Sequence, residues 1–300
     1  MPNKVLRLLS TIVFSTLAAV AQTSTQGTDE IPLLIRCDDL GMCHAVNMAG
    51  KQVMESGIPV SFSVMFACPW YQEAVDLLKQ HPTVSIGIHL TLNAEWKNYR
   101  WGPVAGRSAV PSLVDSLGYF FPSRVALFAN KPRIEEVETE LRAQIERALG
   151  TGLKIDYVDY HMGTAVSTPE FRYLVEVLAT EYGLAISRYF GEVDVEGLYN
   201  TPPEAKTDTL AKLVRDFEPG QTRLLVFHIG LATPEMDAMV DLNAFGLREM
   251  SKHRDAELRA LLSHQFRQAI NEKKVRLITY RELIYQIGVK NMRRPPVQGM

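Results

Sequence analysis

Cysteine and tryptophan are scarce in this 300-residue chain, which has three of each. Three cysteines, Cys37, Cys43 and Cys68, cannot build the disulfide framework that staples small secreted domains. Their spacing fits no zinc-ribbon pattern. Cys37 and Cys68 lie at the ends of apolar runs and read as small buried hydrophobes, with a Cys37–Cys43 or Cys37–Cys68 disulfide as the alternative. Excess charge is also missing. The 32 basic and 34 acidic residues leave a formal net charge of -2. That balance provides no electrostatic footprint for nucleic acid or an anionic membrane. No GxGxxG or GxxxxGK loop follows the first apolar run, which argues against a nucleotide-binding fold. Beyond residue 20 no segment is apolar for long enough to span a membrane.

The N-terminus has its own pattern. Lys4 and Arg7 precede the apolar stretch Leu8–Val20, and Ala19-Val20-Ala21 is an A-x-A cleavage pattern. This reads as a secretory signal peptide over residues 1–21, followed by a flexible lead over 22–30. The expected product is secreted or periplasmic, with no stable membrane span after cleavage. Residues 31–290 are long enough for one large domain, since α/β barrels run to about 250 residues as a single unit. Residues 291–300, with Arg-Arg-Pro-Pro and no periodicity, read as a loose tail.

Across the domain, short β-rich runs alternate with helical patterns. Candidate strands are Ile31–Cys37, Val60–Phe66, Val84–Leu90, Lys154–Tyr160, Leu184–Ser187, Leu224–Phe227 and Val275–Thr279. Several are almost continuously apolar, as strands buried on both faces must be. Candidate helices are Ala45–Ser56, Pro69–Gln80, Arg133–Leu149, Thr168–Tyr182, Pro203–Phe217, Arg254–Lys273 and Arg281–Ile287. The alternation predicts an α/β fold with a parallel sheet and outer helices. A doubly wound sheet shares this alternation; the favoured form is a single-domain TIM-barrel-like (β/α) barrel, irregular, with about seven strands. Residues 93–131 break the pattern. They carry Trp96, Tyr99, Trp101, Tyr119, Phe120 and Phe121 among Gly and Pro. Such a loop either stacks on sugar rings at the barrel mouth or packs on its own aromatics.

Chemistry-bearing residues gather at the predicted strand ends. The first run ends in Asp38-Asp39, the third in His89, the fourth in Asp159-Tyr160-His161 and the sixth in His228. In α/β barrels the C-terminal strand ends form the active site. Two adjacent carboxylates repel, so a metal ion or a shared proton is the usual reason to keep them together. Asp/His/His is a mixed oxygen and nitrogen donor set. It suits one divalent ion, zinc first on ligand type, with magnesium or another divalent ion as the alternative. Such an ion polarises a carbonyl and acidifies water, and a second carboxylate takes the proton. The remaining histidine can protonate a leaving amine or stabilise an oxyanion. Asp159 fits a supporting role toward a ligand histidine. His44, Arg254, Trp96 and Trp101 are further candidates for contact with substrate.

These blocks resemble a known family. Cys37-Asp38-Asp39-Leu40-Gly41, Gly87-Ile88-His89-Leu90-Thr91-Leu92 and Asp159-Tyr160-His161 are similar to the motifs of the YdjC/ChbG-like carbohydrate deacetylases. Ser61–Trp70 and Arg254–Leu283 resemble that family's second strand and closing elements. The resemblance implies a barrel-like fold, frequent homodimers and metal-dependent removal of acetyl groups from N-acetylated amino sugars or oligosaccharides. It implies Asp39, His89 and His161 as metal ligands, Asp38 as the base and His228 as the acid. The chain departs from the pattern at two places. His228-Ile229-Gly230 replaces His-Pro-Gly, and Met162-Gly163-Thr164 replaces a His-rich run. The competing readings are another barrel hydrolase, such as a metal-free glycosidase with two carboxylates, and a non-catalytic carbohydrate-binding protein of the same fold.

Overall fold

Ten consecutive residues, Ile31–Leu40 (β1), form the axis of the fold. Leu33, Leu34 and Ile35 are wholly buried, as a strand covered on both faces requires. The structure is a computed structural model and describes residues 30–295. The signal-peptide expectation (1–21), nearly all of the lead (22–29) and the last five residues of the tail lie outside the described residues.

From β1 the chain continues through α1 (His44–Glu55), β2 (Ser61–Val64), α2 (Tyr71–Gln80) and β3 (Ser85–Leu90). A long irregular segment holds α3 (Arg124–Ala129) and leads to α4 (Ile134–Gly150), β4 (Tyr157–Tyr160), α5 (Pro169–Tyr182), β5 (Ala185–Ile186) and β6 (Val193–Asp194). Then come α6 (Lys206–Arg215), β7 (Arg223–Phe227), α7 (Pro234–Asp237), α8 (Met250–Leu262), α9 (His264–Glu272), β8 (Val275–Ile278) and α10 (Tyr280–Ile287).

All eight strands pair in parallel. Seven follow the order β5-β4-β3-β2-β1-β7-β6, and β8 pairs with β1. β8 takes Ile31–Leu34 of β1, and β2 takes Arg36–Leu40. The sheet curves as a half-barrel with helices around it, as expected. No ladder joins β5 to β6 among the described residues. Arg188 Nε donates to Asp194 Oδ2 at 2.6 Å across that seam instead.

The structure corrects several boundaries. β1 runs three residues past Cys37, and its register with β2 shifts between Cys37 and Leu40. β6 has two residues, too short to leave a period in the sequence. The predicted helix Arg254–Lys273 is two helices, because Ser263 accepts the amide of Phe266 and so caps a new start. Similarly, Ser123 caps the unexpected α3. The tail is anchored as far as Arg294. Arg293 N donates to Tyr189 O at 2.8 Å and Arg294 Nε to Glu176 Oε1 at 2.7 Å. All three cysteines are free and buried, which removes the disulfide alternative.

The space inside the strands is polar rather than apolar. Arg36, Ser63, Tyr157, Asp159, Ser187 and Tyr280 form one buried hydrogen-bonded group. Gly87 makes room for it, since a Cβ there would stand 2.3 Å from the Tyr157 ring. This group supports the site from below.

Candidate metal and active site

In a regular strand Asp38 and Asp39 would point to opposite faces. Asp39 has φ 68°, a left-handed conformation at the register shift of β1. The turn brings both carboxylates toward His89, so a pair that alternation would separate lines one site. Asp38 is held from its own strand, where Arg36 Nε and Nη2 donate to Asp38 Oδ1 and Oδ2 at 2.6 and 2.7 Å. Asp39 is held from α8, where Arg254 Nη2 donates to Oδ2 at 2.6 Å.

Asp39 Oδ1 has no hydrogen-bond partner although it is buried. It stands 3.4 Å from His89 Nε2 and 3.3 Å from His161 Nδ1, and the two imidazole nitrogens are 3.4 Å apart. Three ligands at about 2.0–2.2 Å from a tetrahedral ion stand about 3.3–3.5 Å from one another. The triangle therefore has the size of a metal seat, and its orphaned oxygen is the atom an ion would satisfy. A second group, Asp38, His89 and Asp159, is also close-set. There the Arg36 guanidinium already supplies the counter-charge, with Nε also 3.0 Å from Asp159 Oδ2.

The far ring nitrogen of each histidine is engaged by a carboxylate. His89 Nδ1 is 2.8 Å from Asp159 Oδ1, and His161 Nε2 is 3.0 Å from Glu95 Oε2. Such partners fix ring orientation and leave one nitrogen for a metal. Gln144 on α4 steadies the end of β3. It accepts from Thr91 N at 2.9 Å and donates to Thr91 O at 2.7 Å.

Charge decides what the site needs. Asp38, Asp39, Asp159 and Glu95 are buried, as are Arg36 and Arg254. Four carboxylates against two guanidiniums leave two negative charges, which one divalent cation balances. Without a cation the histidines take that role. Burial works against a charged imidazole, but Asp159, Asp38 and Asp39 outweigh it and raise His89 to about 10. Burial is likewise outweighed at His161, where Glu95 and Asp39 raise the pKa to about 9. Burial would push Asp39 up, yet Arg254 and the two histidines hold it well below the usual carboxylate range. Asp159 falls to about 2 because Arg36 and His89 overcome its burial.

A cavity of about 360 Å³ opens over the triangle. Asp39, His161, Glu95, Trp96, His228 and Arg254 are among its lining residues, and Val125 and Phe245 are exposed at its wall. A second cavity of about 330 Å³ adjoins the β5–β6 seam and includes Asp38, Arg188 and Asp194. Tyr199 and His228 line both.

Of the residues singled out from the sequence, Asp38, Asp39, His89, His161, Asp159 and Arg254 meet in one cluster, and His228 faces the same cavity. His44 does not join them. It is exposed and bonds Glu73 at 2.8 Å, beside Trp70. Trp101 is buried with its ring 6.2 Å from that of His161, and Trp96 is buried under the Arg254 guanidinium. The aromatic loop thus packs on itself and walls the site, and neither indole offers a broad exposed face for a sugar. Sequence reasoning missed Arg36, Glu95 and Tyr199. Arg36 left a signal, being the one charge inside an apolar strand. Glu95 and Tyr199 sit in loops with no period to mark them.

A profile of YdjC-like proteins matches residues 32–272. A carbohydrate deacetylase from Brevibacillus brevis is 28% identical over 265 residues, covering 84% of this chain and 99% of that protein. A carbohydrate deacetylase from Enterococcus faecalis is 28% identical over 267 residues, covering 84% and 97%. Among solved structures, a candidate cellobiose-phosphate cleavage protein from Enterococcus faecalis V583 superposes with TM-score 0.69 at 24% identity, covering 85% of this chain and 99% of that one. The strand-end motifs, the half-barrel and the match over most of the domain lead to one conclusion: this chain belongs to the YdjC-like protein family.

Proposed function

We propose that the protein is a divalent-metal-dependent deacetylase of N-acetylated amino sugars or their oligosaccharides. The observation that carries this reading is the orphaned Asp39 Oδ1, 3.3–3.4 Å from two imidazole nitrogens at the floor of a cavity. The carbohydrate deacetylases among its relatives support the substrate class.

Asp39, His89 and His161 would hold the ion. Bound there, a divalent metal, zinc first on donor type, would supply Lewis acidity toward an amide carbonyl and toward water. The protein groups have separate tasks. Arg254 ties back Asp39 Oδ2 so that Oδ1 alone faces the histidines. Asp159 and Glu95 set the ring orientations. Asp38 keeps lone pairs beyond those given to Arg36 and accepts the proton of the attacking water. His228, across the cavity, donates a proton to the departing sugar amine, which leaves acetate and a free amino group as products.

The test is acetate release from N-acetylglucosamine and its short oligomers, with zinc supplied and after chelation. Release that stops on chelation and returns with metal is expected. Fully metal-loaded protein that frees no acetate from any acetylated sugar would overturn the proposal. A glycosidase would instead generate new reducing ends without metal.

A further inference from the structure

α8 carries two buried charges one turn apart on one face, Arg254 and Glu257, and each reaches a different strand end. Arg254 engages Asp39 after β1. Glu257 Oε2 accepts the backbone amide of His228, just past β7, at 2.7 Å. Its other oxygen pairs with Lys206 Nζ at 2.9 Å. Lys206 is wholly buried and also donates to Leu198 O at 2.6 Å and Tyr199 O at 3.3 Å. One ion pair therefore fixes both residues that stand between the two cavities. The Tyr199 and His228 rings meet edge to face, with centroids 5.7 Å apart. The helix can come this close because residue 230 is glycine. A Cβ there would stand 3.2 Å from Arg254 Cβ, and Gly230 N donates to Arg254 O at 3.3 Å.

A buried ion pair is a costly way to hold two loops, and apolar residues of like volume often serve as well. Nothing in the mechanism above uses Lys206 or Glu257. We infer that Glu257, by accepting the His228 amide, is a positioning residue that aims His228, with Tyr199 against it, at the reacting group. The inference rests on the deacetylase reading, in which His228 is the proton donor.

The test uses double variants, because a single one would strand a buried charge. Lys206→Met/Glu257→Gln removes the ion pair and keeps an acceptor for the His228 amide. Lys206→Met/Glu257→Met removes both. With a metal-loaded protein and an N-acetylglucosamine oligomer, the Gln form should keep kcat within about 3-fold of wild type. The Met form should lose about 10-fold or more in kcat, with KM changed less than about 3-fold. Placed on a His228→Ala background, the Gln-to-Met difference should vanish, since coupled residues are not additive. A purely structural role would keep the difference on that background and would overturn the inference. An independent readout is histidine NMR of the metal-free forms. The His228 ring signal should be single in the wild type and the Gln form, and broadened or split in the Met form. Identical signals in all three forms would also overturn it. A wild type that frees no acetate would instead sink the deacetylase reading and this inference with it.

Discussion

Arg36 grips both carboxylate oxygens of Asp38 at 2.6 and 2.7 Å, although the two residues lie two positions apart on one strand. Residues i and i+2 share a face of a strand, so the pair is made by local geometry. The same guanidinium reaches Asp159 and Ser187 on the far side of the half-barrel. Local and long-range structure meet at this side chain, and the site leans on it.

Removing that cation should therefore unsettle the fold. Arg36→Met would leave Asp38 and Asp159 buried against one another without their counter-charge. A loss of about 3–5 kcal/mol is expected, the usual cost of stranding half of a buried pair. Urea unfolding of the wild type and the variant reads it, and a change below about 1 kcal/mol would contradict the argument.

The two adjacent aspartates should separate by assay. Asp38→Asn is expected to bind zinc with unchanged stoichiometry while kcat falls about 10²–10⁴-fold, the range for losing a general base. Asp39→Asn should lose metal first. Elemental analysis after gel filtration, run beside acetate release, distinguishes the outcomes. Equal metal loss in both variants would refute the division of roles.

Glu95 was invisible in the sequence, yet it holds the outer nitrogen of His161 at 3.0 Å. Glu95→Gln should weaken zinc affinity about 10–100-fold, the typical effect of removing a carboxylate behind a ligand histidine. A chelator competition titration measures it directly, and wild-type affinity would rule the role out.

Removing the metal should also show in stability. An ion that binds only the folded chain adds about 2.7 kcal/mol at 100-fold excess over its Kd. Chelated protein should therefore melt at a lower temperature and recover with added zinc. A melting curve indifferent to zinc and to chelator would speak against a metal seat.

Asp115 gives a pH-dependent test away from the site. Burial nudges its carboxyl up, but Arg100 and the amides of Tyr119 and Leu117 more than offset this and lower its pKa. A carboxylate lowered in the folded state stabilises it above the unfolded pKa, and that contribution fades as pH falls through the folded value. Asp115→Asn should thus cost about 0.5–1 kcal/mol near neutrality, less than a buried hydrogen bond to a charged group because solvent screens this surface site. The cost should shrink as pH falls below about 4, where the carboxyl of the unfolded chain takes up its proton while the folded one still resists. A penalty that stays constant from pH 7 to pH 3 would contradict it.

The strand-end residues were legible in the sequence for a physical reason. A strand buried on both faces must be apolar, so Asp38-Asp39, His89 and His161 stand out where β1, β3 and β4 end. The alternation of such runs with capped helices also determined the α/β class with a parallel sheet. The weak elements left no such mark. β6 is two residues long, and the break at Ser263 depends on a single cap in an otherwise helical pattern.

Tertiary structure alone decided how these groups are wired. Sequence order places Asp38 and Asp39 on opposite faces, and only the left-handed turn at Asp39 brings both to His89. The pairing of Asp39 with Arg254 spans 215 positions, and that of His161 with Glu95 spans 66. No local period encodes such contacts, because they arise when separate strand ends and loops close over one mouth. The sequence by itself determined which chemical groups are present and that they lie at strand ends. The folded chain decided which carboxylate oxygens are already paired with arginine and that Asp39 Oδ1 is left free, since burial makes every unpaired charge costly.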